Sequence, residues 1–299
     1  MRHTKRTAFL LFTVISTVAA AVMIIFSNIL SHHVIGEPNT KYALMCVAPS
    51  IIFCTIMSVE RGYCEGLQNM IPTAVSEIIE TLFKLILGLG FAYGLMYHMS
   101  DMYDKTSMIF GTSYADQRQA ASAALPFIAA AAILGSSIAS AIACLYILIS
   151  CKIKGDGVTK QMLQKDTVTD STSVTVKKLI NCCLPIALIS VIMTFANMID
   201  MLTVNPCIKA AMKTAPHKFD CLLSDKLTAS MLPNFIYGSY TGLAVTVFGL
   251  VPTLTAMFGK SILPPLAESC AKNDKKAMQS GLTKMLTVTS IIAIPAGMG

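Results

Sequence analysis

Long uncharged apolar runs, broken by short polar stretches, form the basic pattern of the chain. They cover 7–30, 42–59, 85–100, 119–151, 179–199 and 227–259, and a seventh runs from 285 to 299. Spanning the hydrocarbon core of a bilayer takes about 20 apolar residues in a helix. The runs therefore predict an all-α, multi-pass membrane protein with about seven helices. The third run is preceded by a charged segment at 70–84, so its helix is expected to begin near Pro72, with Thr73 available as a cap. Prolines 49, 126, 185, 252 and 295, and glycines 88, 90 and 94, fall inside the spans. Neighbouring helices can satisfy backbone groups freed at a proline, and the Gly90–Gly94 pair is expected to permit close helix approach.

The most polar stretch, 152–178, is rich in Thr, Ser, Asp and Lys. It divides the chain into an N-terminal set of helices (1–151), a cytoplasmic linker (152–178) and a remaining set (179–299), an arrangement familiar from two-lobed transporters. Placing successive connections on alternate sides leaves 15 Lys and Arg residues on the side of the N-terminus, Arg61, the linker and a polar connection at 260–284, and 7 on the other. The positive-inside tendency makes the richer side, and the N-terminus, cytoplasmic. A cleaved signal peptide is the alternative for the first run, but 7–30 is longer than the usual signal core.

Composition agrees with the membrane class. The chain is 54% hydrophobic and 13% charged, with a mean hydropathy of +0.65. Basic loops beside anionic lipid account for the net charge of +7 without invoking nucleic acid. Ten cysteines show no zinc-type spacing. Cys207 and Cys221 fall in an expected outer loop at 205–234, where they either pair or remain thiols. No phosphate loop, nucleophile elbow or zinc-protease motif is present, so neither an enzyme, a metal site nor a cofactor is expected.

Chemistry concentrates in ionisable groups inside the apolar slab. Glu77, Glu80 and Lys84 follow helical spacing, which places them on one flank. A charge near the bilayer centre costs about 2.5–3.5 kcal/mol on insertion scales and usually faces a protein interior or a wet cavity. The flank therefore either lines a cavity or forms a self-satisfying ion pair. Arg61, beside Glu60 and Glu65, lies at the cytoplasmic mouth, where a guanidinium can grip a diphosphate with two parallel hydrogen bonds. Asn197 and Asp200 share a face at the outer end of the fifth run. Asp200 there either binds a proton or sodium ion or marks the helix end.

Segments 48–80 (APSIIFCTIMSVERGYCEGLQNMIPTAVSEIIE), 197–200 (NMID), 236–268 and 294–299 (IPAGMG) give the chain a resemblance to the stage V sporulation protein B-like polysaccharide flippases, relatives of the MATE exporters. The resemblance implies a cell-membrane bundle of twelve to fourteen helices in two lobes around a cavity. It implies movement of lipid-linked saccharides for cell-wall synthesis or sporulation, with membrane lipids as surroundings. Aligned so, the chain lacks the first two family helices and everything after about the ninth. The family pattern favours Gln at positions 65 and 77 and Arg at 84, where this chain has Glu65, Glu77 and Lys84. Arg61 and Lys84 are then expected to attract the diphosphate. The alternatives are a cation-coupled MATE-type antiporter using Glu77, Glu80 or Asp200, and an inactive fragment.

Overall fold

A computed structural model describes residues 2–35, 39–106, 108–109, 112–113, 117–154, 171–214 and 232–298. Helix α1 spans Arg2–Ile29, α2 Thr40–Gly66, α3 Ile71–Thr106 and α4 Gln117–Lys154. Then come α5 Thr172–Thr214, α6 Leu232–Ser239, α7 Val245–Ala271 and α8 Lys275–Met298. Short π-helical turns follow α1 at Leu30–Ile35 and join α6 to α7 at Tyr240–Ala244. A two-rung antiparallel pairing, Met108 opposite Ser113 and Ile109 opposite Thr112, lies between α3 and α4. Seven helical stretches among the described residues are long and apolar enough to cross a membrane. The chain is an all-α multi-pass membrane protein.

Two compact units divide the chain, Met1–Val176 and Lys177–Gly299. In the first, α4 packs extensively on both α3 and α2, and α1 packs on α2, whereas α2 and α3 touch only slightly. Helix α4 can take this central place because its contact face is small: Ala139, Ser140, Ala143, Cys144 and Ile147 are buried. Between helices in lipid there is little hydrophobic drive, so close contact depends on small residues and interhelical hydrogen bonds. Gly135 shows how close: a Cβ built there would lie 2.5 Å from the Leu87 carbonyl oxygen. A Cβ built at Gly88 would lie 3.6 Å from the Ala132 carbonyl oxygen at the same seam. Among the described residues of the first unit no helix approaches Gly90 or Gly94 closely, since a Cβ at either position meets nothing within 4 Å.

Several hydroxyls in the spans are satisfied within their own helix. Thr55 donates to the Ile51 carbonyl and Ser58 to that of Cys54, as expected where no water competes. Near Pro49 the bond runs between helices, with Ser137 Oγ donating to the Cys46 carbonyl at 2.6 Å. Thr73 departs from its expected capping role. Its hydroxyl is buried without a hydrogen-bond partner, while its carbonyl accepts from Ser76 Oγ.

In the second unit the helices outrun the apolar segments that predict them. Helix α5 continues through Pro206 to Thr214, so the start of the expected 205–234 loop is helical. Cys207 lies exposed on that helix as a free thiol, while Cys221 falls outside the described residues, as does most of the 152–178 stretch. The expected polar connection at 260–284 is also helical but for one turn between α7 and α8. Helical backbone outside lipid keeps its internal hydrogen bonds, so the end of an apolar run need not end the helix. Outside the spans, Lys272 is held protonated above the ordinary lysine range by its hydrogen bond and charge pairing with Glu268.

Both tight turns share one closing device. After α2, the Gln68 amide donates to the Glu65 carbonyl and the Asn69 amide to that of Cys64, with Gln68 at φ 59°. After α7, the Asn273 amide donates to Cys270 and that of Asp274 to Ser269, with Asn273 at φ 53°. This is the Schellman pattern, usually closed by glycine and sometimes by Asn. Asp274 then caps α8 through a bond from the Ala277 amide at 3.1 Å.

Candidate functional site

The short turn after α2 sets the last turns of that helix beside the first turns of α3. Arg61, near the end of α2, reaches across the gap. Its Nε donates to Ser76 Oγ at 2.7 Å and its Nη2 to Glu80 Oε2 at 3.0 Å. Lys84, one turn beyond Glu80 on α3, donates to Oε1 at 2.6 Å. The third wall is α4, whose Ser140 hydroxyl donates to the same Oε1 at 3.4 Å and accepts a weak bond from the Cys54 thiol at 3.9 Å. Glu80 is thus clasped by two cations and a hydroxyl from three helices.

At 1.5 Å rise per residue, Glu80 lies about 13 Å and Lys84 about 20 Å beyond the start of α3. The Glu80 and Arg61 side chains retain 12% and 15% of their exposure, whereas Lys84 retains 40%. Counted over these three side chains, one carboxylate faces two cations. In a medium of low dielectric a charge needs a partner or water. The half-open Lys84 is where either could be supplied.

A second ion pair lies on the other side of α2. Lys5 Nζ of α1 is 2.6 Å from the buried Glu60 Oε2 and 4.5 Å from the centroid of the Tyr63 ring. The pair lacks the alignment of a hydrogen bond at Oε2. Adjacent residues of α2 therefore pair in opposite directions, Glu60 to α1 and Arg61 to α3.

The structure brings Arg61, Glu80 and Lys84 together. Glu77 is half-buried one turn before Glu80, and its carbonyl accepts from the Thr81 hydroxyl at 2.8 Å. Asn197 and Asp200 are exposed on α5, in the second unit. Ser76, Ser140 and Lys5 were not expected. Ser76 carried a weak signal, one turn before Glu80 on its helix. Ser140 and Lys5 carried none, because their partners lie far away in the sequence. Among the described residues no group of three or more His, Cys, Asp or Glu side chains is placed to hold a metal ion.

Comparison with known proteins adds one similarity. The chain is 30% identical over 74 residues to stage V sporulation protein B of Bacillus subtilis (strain 168). This supports a distant family relation. The match covers 25% of this chain and spans only 14% of that protein's length. No protein-family model matches the chain, and no solved structure matches it. The multi-pass helical architecture together with this relation fits a transporter in general.

Proposed function

We propose that the chain belongs to a membrane flippase or exporter for lipid-linked oligosaccharide or cell-wall polysaccharide precursors. The observation that carries the reading is the Arg61–Glu80–Lys84 cluster, a buried carboxylate held by two cations within the apolar slab. Glu80 acts as a stand-in anion in the empty state. A diphosphate head group competes for the same cations, Arg61 supplying a planar fork and Lys84 a mobile point charge. Ser76 and Ser140 preserve the geometry while the carboxylate is displaced.

In vesicles reconstituted with the intact protein and a fluorescent lipid-linked saccharide, Lys84→Ala and Arg61→Ala are each expected to abolish flipping while insertion is retained. Full activity of both variants would sink the reading. A second reading, a cation-coupled MATE-type antiporter, is favoured by Asp200, which is exposed on a spanning helix with no ion-pair partner among the described residues. Loss of proton- or sodium-driven efflux in Asp200→Asn, with Lys84→Ala still active, would select it.

A further inference from the structure

We propose that Cys64 and Cys151 form a reversible disulfide that staples the end of α2 to the end of α4, making this thiol pair a redox-modification site. Their Sγ atoms are 3.4 Å apart and both residues are free thiols. A disulfide needs an S–S separation of about 2.05 Å, so the sulfurs have about 1.4 Å to close. The two positions are far apart in sequence, and each lies within one turn of the end of its helix.

The two thiols differ in access, and that sets the order of events. Cys64 is buried, at 6% exposure, whereas Cys151 is half-buried. Lys5 and Glu60 lie within electrostatic reach of Cys151, and the adjacent Ser150 hydroxyl is buried without a partner. Charged and hydroxyl groups therefore lie close to the thiol pair at this end of the first unit. The oxidant is a low-molecular-weight disulfide. The Cys151 thiolate attacks one of its sulfurs, forming a mixed disulfide and releasing one thiolate. The Cys64 thiolate then attacks Cys151 Sγ and expels the second. Two protein thiols are oxidised, the reagent is reduced to two thiols, and the protein protons pass to the leaving thiolates. The reverse exchange restores the pair.

The test uses the intact protein in membrane vesicles, exposed to oxidised glutathione, with free thiols then alkylated and the digest examined by mass spectrometry. The expected product is a peptide carrying residue 64 linked to one carrying residue 151, lighter by two hydrogens and separated by reductant. Cys64→Ser should trap glutathione on Cys151, Cys151→Ser should leave Cys64 alkylated, and Cys46→Ser should keep the linkage. Should Cys64→Ser disturb folding, Cys64→Ala serves the same purpose, with insertion checked by protease protection. A wild-type protein that retains glutathione on Cys151 without linkage, or that links Cys151 to another cysteine, overturns the proposal. So does a Cys151 that stays free in both Cys64 variants. Each readout is independent of transport.

Discussion

Single side chains decide how the charged cluster is held. Glu80 has a local partner in Lys84 and a distant one in Arg61. Removing a partner from a buried hydrogen-bonded group costs about 1–3 kcal/mol, and stripping the counter-charge from a buried pair about 3–5 kcal/mol. Arg61→Ala, which leaves Lys84 to neutralise Glu80, is expected at the lower figure. Glu80→Gln, which strands two cations, is expected at the higher. Denaturant unfolding in detergent would check both, and equal losses would show that the cations do not share the carboxylate as described. Gln68 at φ 59° offers a separate test. The left-handed conformation costs a side chain about 1–2 kcal/mol, partly offset by the extra freedom of an unfolded glycine. Gln68→Gly is therefore expected to stabilise the protein by up to about 1 kcal/mol in the same assay.

At the level of elements, α4 is the organiser of the first unit, and its fit against α3 is tight at Gly135. The atoms facing a Cβ at Gly135 are backbone, which cannot rotate away. Gly135→Ala is expected to push α3 and α4 apart and destabilise the unit by about 1–3 kcal/mol. Gly90→Ala, which meets open space, should change stability by much less. A comparison of the two melting temperatures decides the matter, and similar losses would show that the seam lies elsewhere. The helices themselves were legible as apolar runs, but this seam was not. Gly88, Gly90 and Gly94 look alike in sequence, and only the placement of α4 distinguishes the first from the others. The extra length of α5 and α7 was hidden for a related reason: polarity reports where lipid ends, not where a helix ends.

For the whole molecule, orientation is the accessible property. The starts of α1 and α3 and the ends of α2 and α4 lie at one end of the first unit, as Lys5–Glu60 and Cys64–Cys151 require. The basic residues of the chain favour that end as cytoplasmic. Alkaline phosphatase fused after Lys154 should be inactive and the same reporter fused after Thr106 active. The opposite result would invert the topology and place Arg61 at the outer mouth.

The sequence by itself determined the membrane class, the apolar runs behind the helices and the shared flank of Glu77, Glu80 and Lys84, because each depends on local composition or on the fixed spacing of one helix turn. Tertiary structure alone decided that Arg61 and Ser140 meet at Glu80, that Lys5 meets Glu60, and that Cys64 faces Cys151. Those contacts join residues far apart in the chain. Which helix faces which is set by small-residue fit and interhelical hydrogen bonds, and neither leaves a periodic mark in an apolar run.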